Sequence, residues 1–194
     1  MNRLFLLVAY IALFVFPIQT KGQQIRGVYL SSNDFQKNKT TFTKGKGIKC
    51  KAKLHDEPYK SYINIRYRDS SFVLVKDSIF GYKDIENTQH RFYNKLIYQI
   101  LNPNEKILLY KIEKKTGSPK NQQIITSYFF SNGANTNILE LTIPNLEKTF
   151  SDNELFQDYL EIHFKTDNDL IEFDKEHKVY KVNRLLELST HKKN

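Results

Sequence analysis

Cysteine is almost absent from this sequence: Cys50 stands alone in 194 residues. No internal disulfide is therefore available, and a chain that leaves the cytoplasm must rely on its apolar core. Glycine is scarce as well, at seven residues, and none of them builds a phosphate cradle. Gly45-Lys46-Gly47-Ile48 lacks the long Gly-rich loop and the Lys-Ser/Thr ending that such a cradle needs. It reads as a loop entering a strand. No serine carries the flanking glycines of a nucleophile elbow, and no strong carboxylate pair stands out. A Gly/Ser linker, a long repeat and a low-complexity tract are all missing, so residues 23–194 read as a single domain.

The scattered polar candidates fail on spacing. His163 and His177 stand near Asp167, Asp169 and Asp174, which invites a metal reading, yet they match no H-E-x-x-H pattern. An EF-hand loop starting at Asp167 would need an oxygen ligand at its fifth position and glycine at its sixth. Ile171 and Glu172 stand there instead. Both histidines are expected at the edges of helix–sheet packing. Cys50 and His55 raise a cysteine-nucleophile reading, but a five-residue separation along a strand does not supply the geometry. No catalytic residue, metal ligand or cofactor is assigned, and the chain reads as a non-enzyme.

What is present begins with an apolar run from Leu4 to Phe16, preceded by Arg3 and ended by Pro17. As a helix it would rise to about 20 Å against about 30 Å of hydrocarbon, too short to span comfortably. A positive start, a short apolar core and small residues at Thr20 and Gly22 make a secretory signal peptide, residues 1–22. Cleavage is expected between Gly22 and Gln23, and no cysteine lies there to carry a lipid. The expectation is a periplasmic or extracellular protein with no transmembrane segment in its mature part.

Residues 61–131 read as one strand after another. Ile63, Ile65 and Tyr67 alternate with Asn64, Arg66 and Arg68, the period that puts successive side chains on opposite sheet faces. Asp69-Ser70 is a two-residue turn before Phe72-Val73-Leu74-Val75. Ile79 to Tyr82 follows, with Gly81 marking a bulge or a close backbone approach. His90 to Tyr93 and Leu96 to Leu101 are joined only by Asn94-Lys95, a second tight hairpin. Asn102-Pro103-Asn104-Glu105 breaks the chain before Ile107 to Ile112, Ile124 to Phe130 and Ile138 to Leu141. Such short connections permit antiparallel pairing and leave no space for crossover helices.

From residue 142 the period changes. Thr142-Ile143-Pro144 starts a short helix, and Ser151-Asp152-Asn153-Glu154 forms a capping box before Leu155, Phe156, Tyr159, Leu160 and His163. Thr166-Asp167-Asn168-Asp169 resembles another start, with Leu170, Phe173, His177, Tyr180 and Arg184 along the next face. The fold class is α+β: an antiparallel meander of about 8–10 strands over 23–141, open or curled to a half-barrel. Two or three helices over 142–194 pack on it.

Charge is uneven. Removing Arg3 and Lys21 with the leader lowers the formal charge from +9 to +7. Nine basic and three acidic residues fall between Gln23 and Lys60; from Thr142 onward the acids outnumber the bases. The densest part, Ile48-Lys49-Cys50-Lys51-Ala52-Lys53-Leu54, alternates, with Lys49, Lys51 and Lys53 outward and Lys46 just before them. Two readings follow: a patch for an anionic partner, or an edge strand whose lysines discourage aggregation. Nucleic acid is set aside because the chain reads as exported.

Gly27-Val28-Tyr29-Leu30, Asn33-Asp34-Phe35, Ile79-Phe80-Gly81-Tyr82, Arg91-Phe92-Tyr93-Asn94, Tyr98-Gln99-Ile100-Leu101 and Ile107-Leu108-Leu109-Tyr110 together carry a likeness. The chain resembles an uncharacterised family of small exported proteins of Bacteroidota-type bacteria, through Asn145-Leu146 and as far as Tyr180. The resemblance implies a Gram-negative envelope location and transfers no activity. Asp77-Ser78-Ile79 also resembles the short O-glycosylation site of such bacteria, which makes Ser78 a candidate acceptor. Two function classes follow. One is a non-enzymatic envelope protein that binds a partner or serves as a scaffold, the partner being another exported protein or an anionic envelope polymer. The alternative is a carrier of a small hydrophobic ligand, its pocket lined by Phe72, Phe80, Phe92, Tyr98 and Tyr110.

Overall fold

The structure, a computed structural model, describes residues 23–55, 60–118 and 121–191. The expected leader and its Gly22 boundary lie outside the described residues. β1 (Gln23–Tyr29) is followed by a short helix, α1 (Ser32–Gln36), which the sequence reading does not anticipate. Ser31 and Asp34 cap it reciprocally, each side chain bonding the other's backbone N–H. Then come β2 (Cys50–Lys53), β3 (Tyr62–Tyr67), β4 (Ser70–Val75), β5 (Gly81–Asp84), β6 (Gln89–Tyr93), β7 (Leu96–Ile100), β8 (Ile107–Thr116), β9 (Gln123–Asn132) and β10 (Leu139–Glu140). They form one ten-stranded antiparallel sheet, ordered β10-β9-β8-β7-β6-β5-β1-β2-β3-β4, with β10 and β4 as its two edges. The sheet stays open rather than closing into a barrel.

The turns follow local chemistry. Asn94 and Lys95 both take positive φ, 48° and 66°, as the two-residue turn between β6 and β7 requires. Between β3 and β4 the turn residues are Arg68 and Asp69, one place earlier than expected, with Arg68 at φ 53°. At Gly81 the expected close approach is real: a Cβ there would overlap the His90 carbonyl oxygen across the β5–β6 ladder.

β1 departs from the meander. Gln23 and Gln24 pair with β2, whereas Ile25 to Tyr29 pair with β5, so one strand joins the first hairpins to the rest. Ile25, Cys50, Ala52, Ile63 and Ile65 pack in a single cluster with Tyr82 and Phe92. The N-terminal strands therefore curl until their inner side chains reach those of β5 and β6.

Alternation along β8 sorts two further cores. Ile107 and Leu109 meet the helices on one face; Leu108 and Tyr110 pack with Tyr29, Phe35, Phe80 and Tyr98 on the other. The helices are α2 (Ile143–Thr149), α3 (Glu154–His163) and α4 (Lys181–His191). Thr142 caps α2, with Pro144 in its first turn where a missing N–H costs nothing. Asn153, not Ser151, caps α3, its side chain accepting from Phe156 N–H at 3.2 Å. Phe156, Leu160, Val182, Leu185 and Leu186 fill the helix–sheet core.

The expected helix through Leu170, Phe173, His177 and Tyr180 does not form. Thr166 and Asp169 do make a capping box, but it starts only a 3-10 turn, Asp167–Ile171. A small hairpin, β11 (Phe173–Asp174) with β12 (Val179–Tyr180), follows it. Asp174 holds the hairpin loop by accepting from the backbone N–H groups of Glu176 and His177. Lys178 supplies the positive φ, 57°.

Candidate functional site

β2 carries the candidate basic face. Cys50 and Ala52 lie buried beneath it, while Lys51 and Lys53 stand exposed above, and Lys46 and Lys49 are exposed on the approach. Successive lysines on one face of a strand sit about 6.5–7 Å apart. The neighbouring strand adds to them: in the β2–β3 ladder Lys51 lies directly across from Arg66, which is exposed on the same face. Directly opposed side chains have Cβ atoms about 4.5–5.5 Å apart, and like charges there are destabilising. On the β1 side, Gln24 is in register with Lys51, and its amide oxygen accepts from Lys44 Nζ at 3.2 Å. Arg26, also exposed, donates from Nε to the Ile85 carbonyl. Among the described residues none of Lys46, Lys49, Lys51, Lys53 and Arg66 takes part in an ion pair.

β2 is paired on both sides, to β3 along its whole length and to β1 at Lys51 and Ala52. The same pairing overturns the reading of β2 as an edge strand. Its lysines do not guard an edge; β4 is the edge on that side, and its exposed Val73 and Val75 carry no charge.

Cys50 and His55 do not form a nucleophilic pair. Burial pushes the Cys50 thiol up to about 11, so it stays protonated and unreactive. The His55 ring packs against Tyr62 and meets the Asn64 amide at 3.3 Å. His163 ends α3 beside Tyr159, whereas His177 sits in the exposed β11–β12 loop with Nδ1 2.7 Å from the Asp174 carboxylate. No group of three or more His, Cys, Asp and Glu side chains converges as a metal site among the described residues.

The five aromatics of the expected pocket are split up. Phe92 belongs to the N-terminal cluster, Phe80, Tyr98 and Tyr110 to the core under α1, and Phe72 lies exposed on β4 against Phe42. Ser78 ends a 3-10 turn, Lys76–Ser78, with its exposed hydroxyl donating to the Val75 carbonyl. Gln23, the far side of the expected cleavage bond, opens β1 and is exposed. Among the described residues no helix is long and apolar enough to cross a membrane.

One residue receives no functional role from the sequence. Arg91 on β6 is 7% exposed, because the loop after β9 and the residues around Phe80 cover that face of the sheet. An arginine between aromatic residues looks like an outward position until the covering segments are known. Compared with family models, with curated proteins and with solved structures, the chain matches none.

Proposed function

We propose that this chain is an exported, non-enzymatic protein of the cell envelope that binds an anionic polymer on the basic face formed by β1, β2 and β3. The observation that carries this reading is the opposition of Lys51 and Arg66, flanked by Lys49 and Lys53, without a carboxylate paired to any of them among the described residues. Holding like charges opposite one another costs stability, and a polyanion laid along the strands would relieve that cost. Charges spread over neighbouring strands suit a repeating anion better than a single small one. Export rests on the short apolar run and small residues before Gln23.

The reading is tested by binding to dextran sulfate with neutral dextran as the control. The protein should be retained by the sulfated polymer at low salt and pass freely through the neutral one. Arg66→Glu, which places an acid opposite Lys51, should reduce retention at least as much as removing one lysine. Equal retention of the Arg66→Glu protein would mean that another surface binds.

A further inference from the structure

The chain holds a second cationic centre, separate from the basic face and buried. Arg91 is fixed from three directions: its terminal nitrogens donate to the Tyr110 hydroxyl at 3.0 Å, to Ser131 Oγ at 3.4 Å and to the Thr136 carbonyl at 2.8 Å. Phe80, Tyr93 and Tyr110 bring their rings to 5.2, 5.5 and 5.9 Å from its guanidinium carbon. Each of these partners is neutral. Burial pushes the Tyr110 phenol up, against a lowering pull from Arg91, so it does not ionise to balance the charge. The phenol is also committed to Ser131 Oγ at 2.7 Å, and Ser131 in turn donates to the Gly133 carbonyl.

A buried guanidinium stays charged at every accessible pH, and burying a charge is costly unless an opposite one meets it. No carboxylate within the chain does so among the described residues. Arg91 Nε forms no hydrogen bond among them either. The side chain borders an open cleft of about 520 Å³, a size suited to a small molecule. Apolar rings, Phe80 and Tyr93, form part of its wall, and Ser32, Asn94 and Asn135 supply hydroxyl and amide groups at its rim. Asp77 also lines the cleft, farther from Arg91 than an ion pair allows, where its oxygens can accept from hydroxyl groups.

We infer that this cleft binds a small carboxylate carried on a hydroxylated ring, an acidic sugar, with the carboxylate on Arg91 and the hydroxyl groups on the polar rim. The planar guanidinium fork matches a carboxylate, the ring faces accept the C–H surface of a sugar, and mixed donors and acceptors suit its hydroxyls. The surrounding hydrogen bonds hold the fork in place before the ligand arrives, so little ordering is required on binding.

The test is a titration of the purified, isotope-labelled protein with sodium glucuronate, followed through the Arg91 Nε–H resonance, with glucose and sodium acetate as controls. Glucuronate should shift that resonance saturably, glucose should leave it in place, and acetate should act at least tenfold more weakly. Arg91→Lys, which keeps the charge but loses the fork, should weaken glucuronate binding about tenfold or more. Because a core substitution can unsettle the fold, Asn135→Ala, on the exposed rim and outside the positive-φ turn, is the second variant. It should weaken glucuronate several-fold and leave the weak acetate response unchanged. An unshifted Arg91 resonance, a response to glucose equal to that to glucuronate, or an acetate response as strong would each overturn the inference.

Discussion

Asn183, on α4, closes two hydrogen bonds with the backbone of Ile107, accepting from its N–H at 2.8 Å and donating to its carbonyl at 2.9 Å. β7 has already ended at Ile100, so this stretch of β8 has no strand beside it on that side. Asn102 acts in the same way, accepting from Leu109 N–H at 2.6 Å and donating to the Ile107 carbonyl at 2.7 Å. Two buried amides thus continue the ladder where the strand stops, and one of them ties the last helix to β8, an interior strand of the sheet.

Asn183→Leu should therefore destabilise the fold although it adds apolar surface. The Ile107 carbonyl keeps Asn102, but its N–H would be buried without an acceptor, at a cost of about 1–3 kcal/mol. Chemical denaturation should show this loss, together with faster amide exchange at Ile107 than in the parent.

Gly81→Ala tests the close approach of β5 and β6. The added methyl would meet backbone, the His90 carbonyl, and not a flexible side chain that could turn away. A loss of about 2–3 kcal/mol is expected. A thermal melt unchanged from the parent would mean that the two strands are not so closely apposed.

Cys50 predicts a pH dependence. Its thiol is raised from 9.0 to about 11 by burial, so above pH 9 the unfolded chain releases a proton that the folded one retains. That contribution is whole below pH 9 and is lost as the pH rises towards 11. Stability should fall across this window, less steeply in Cys50→Ala. Cys50→Ser should lower stability by roughly 1 kcal/mol at neutral pH, since it puts a hydroxyl on an apolar face.

Much of the fold is legible locally. Alternation marks β2 and β3, a continuous apolar run marks the start of β8, and the Asn94-Lys95 pair marks its own turn, because those signals depend only on neighbouring residues. The position of β1 does not show, since Gln23 and Gln24 choose β2 while Ile25 onward chooses β5, partners far along the chain. The β11–β12 hairpin is hidden for another reason. Leu170, Phe173, His177, Tyr180 and Arg184 recur at three- and four-residue spacing, and only the Asp174 loop bonds reveal a turn there. Likewise the lysines of β2 are readable as a face, but whether that strand is an edge depends on pairing, and so does the opposition of Lys51 and Arg66. Arg91 is concealed by the segments that fold over it.

The central claim is that the basic face binds a polyanion, and a salt titration of dextran sulfate binding tests it most directly. The parent should be compared with the Lys49→Gln, Lys51→Gln, Lys53→Gln triple variant. If the face binds, the parent's affinity should fall steeply with added salt, because exposed charges are screened within about 10 Å at 0.1 M. The triple variant should bind more weakly at low salt, show a flatter salt dependence, and keep its melting temperature within a few degrees. Since β2 is an interior strand, light scattering should find the variant no more prone to aggregate. Affinity and salt dependence identical to the parent's would contradict the account.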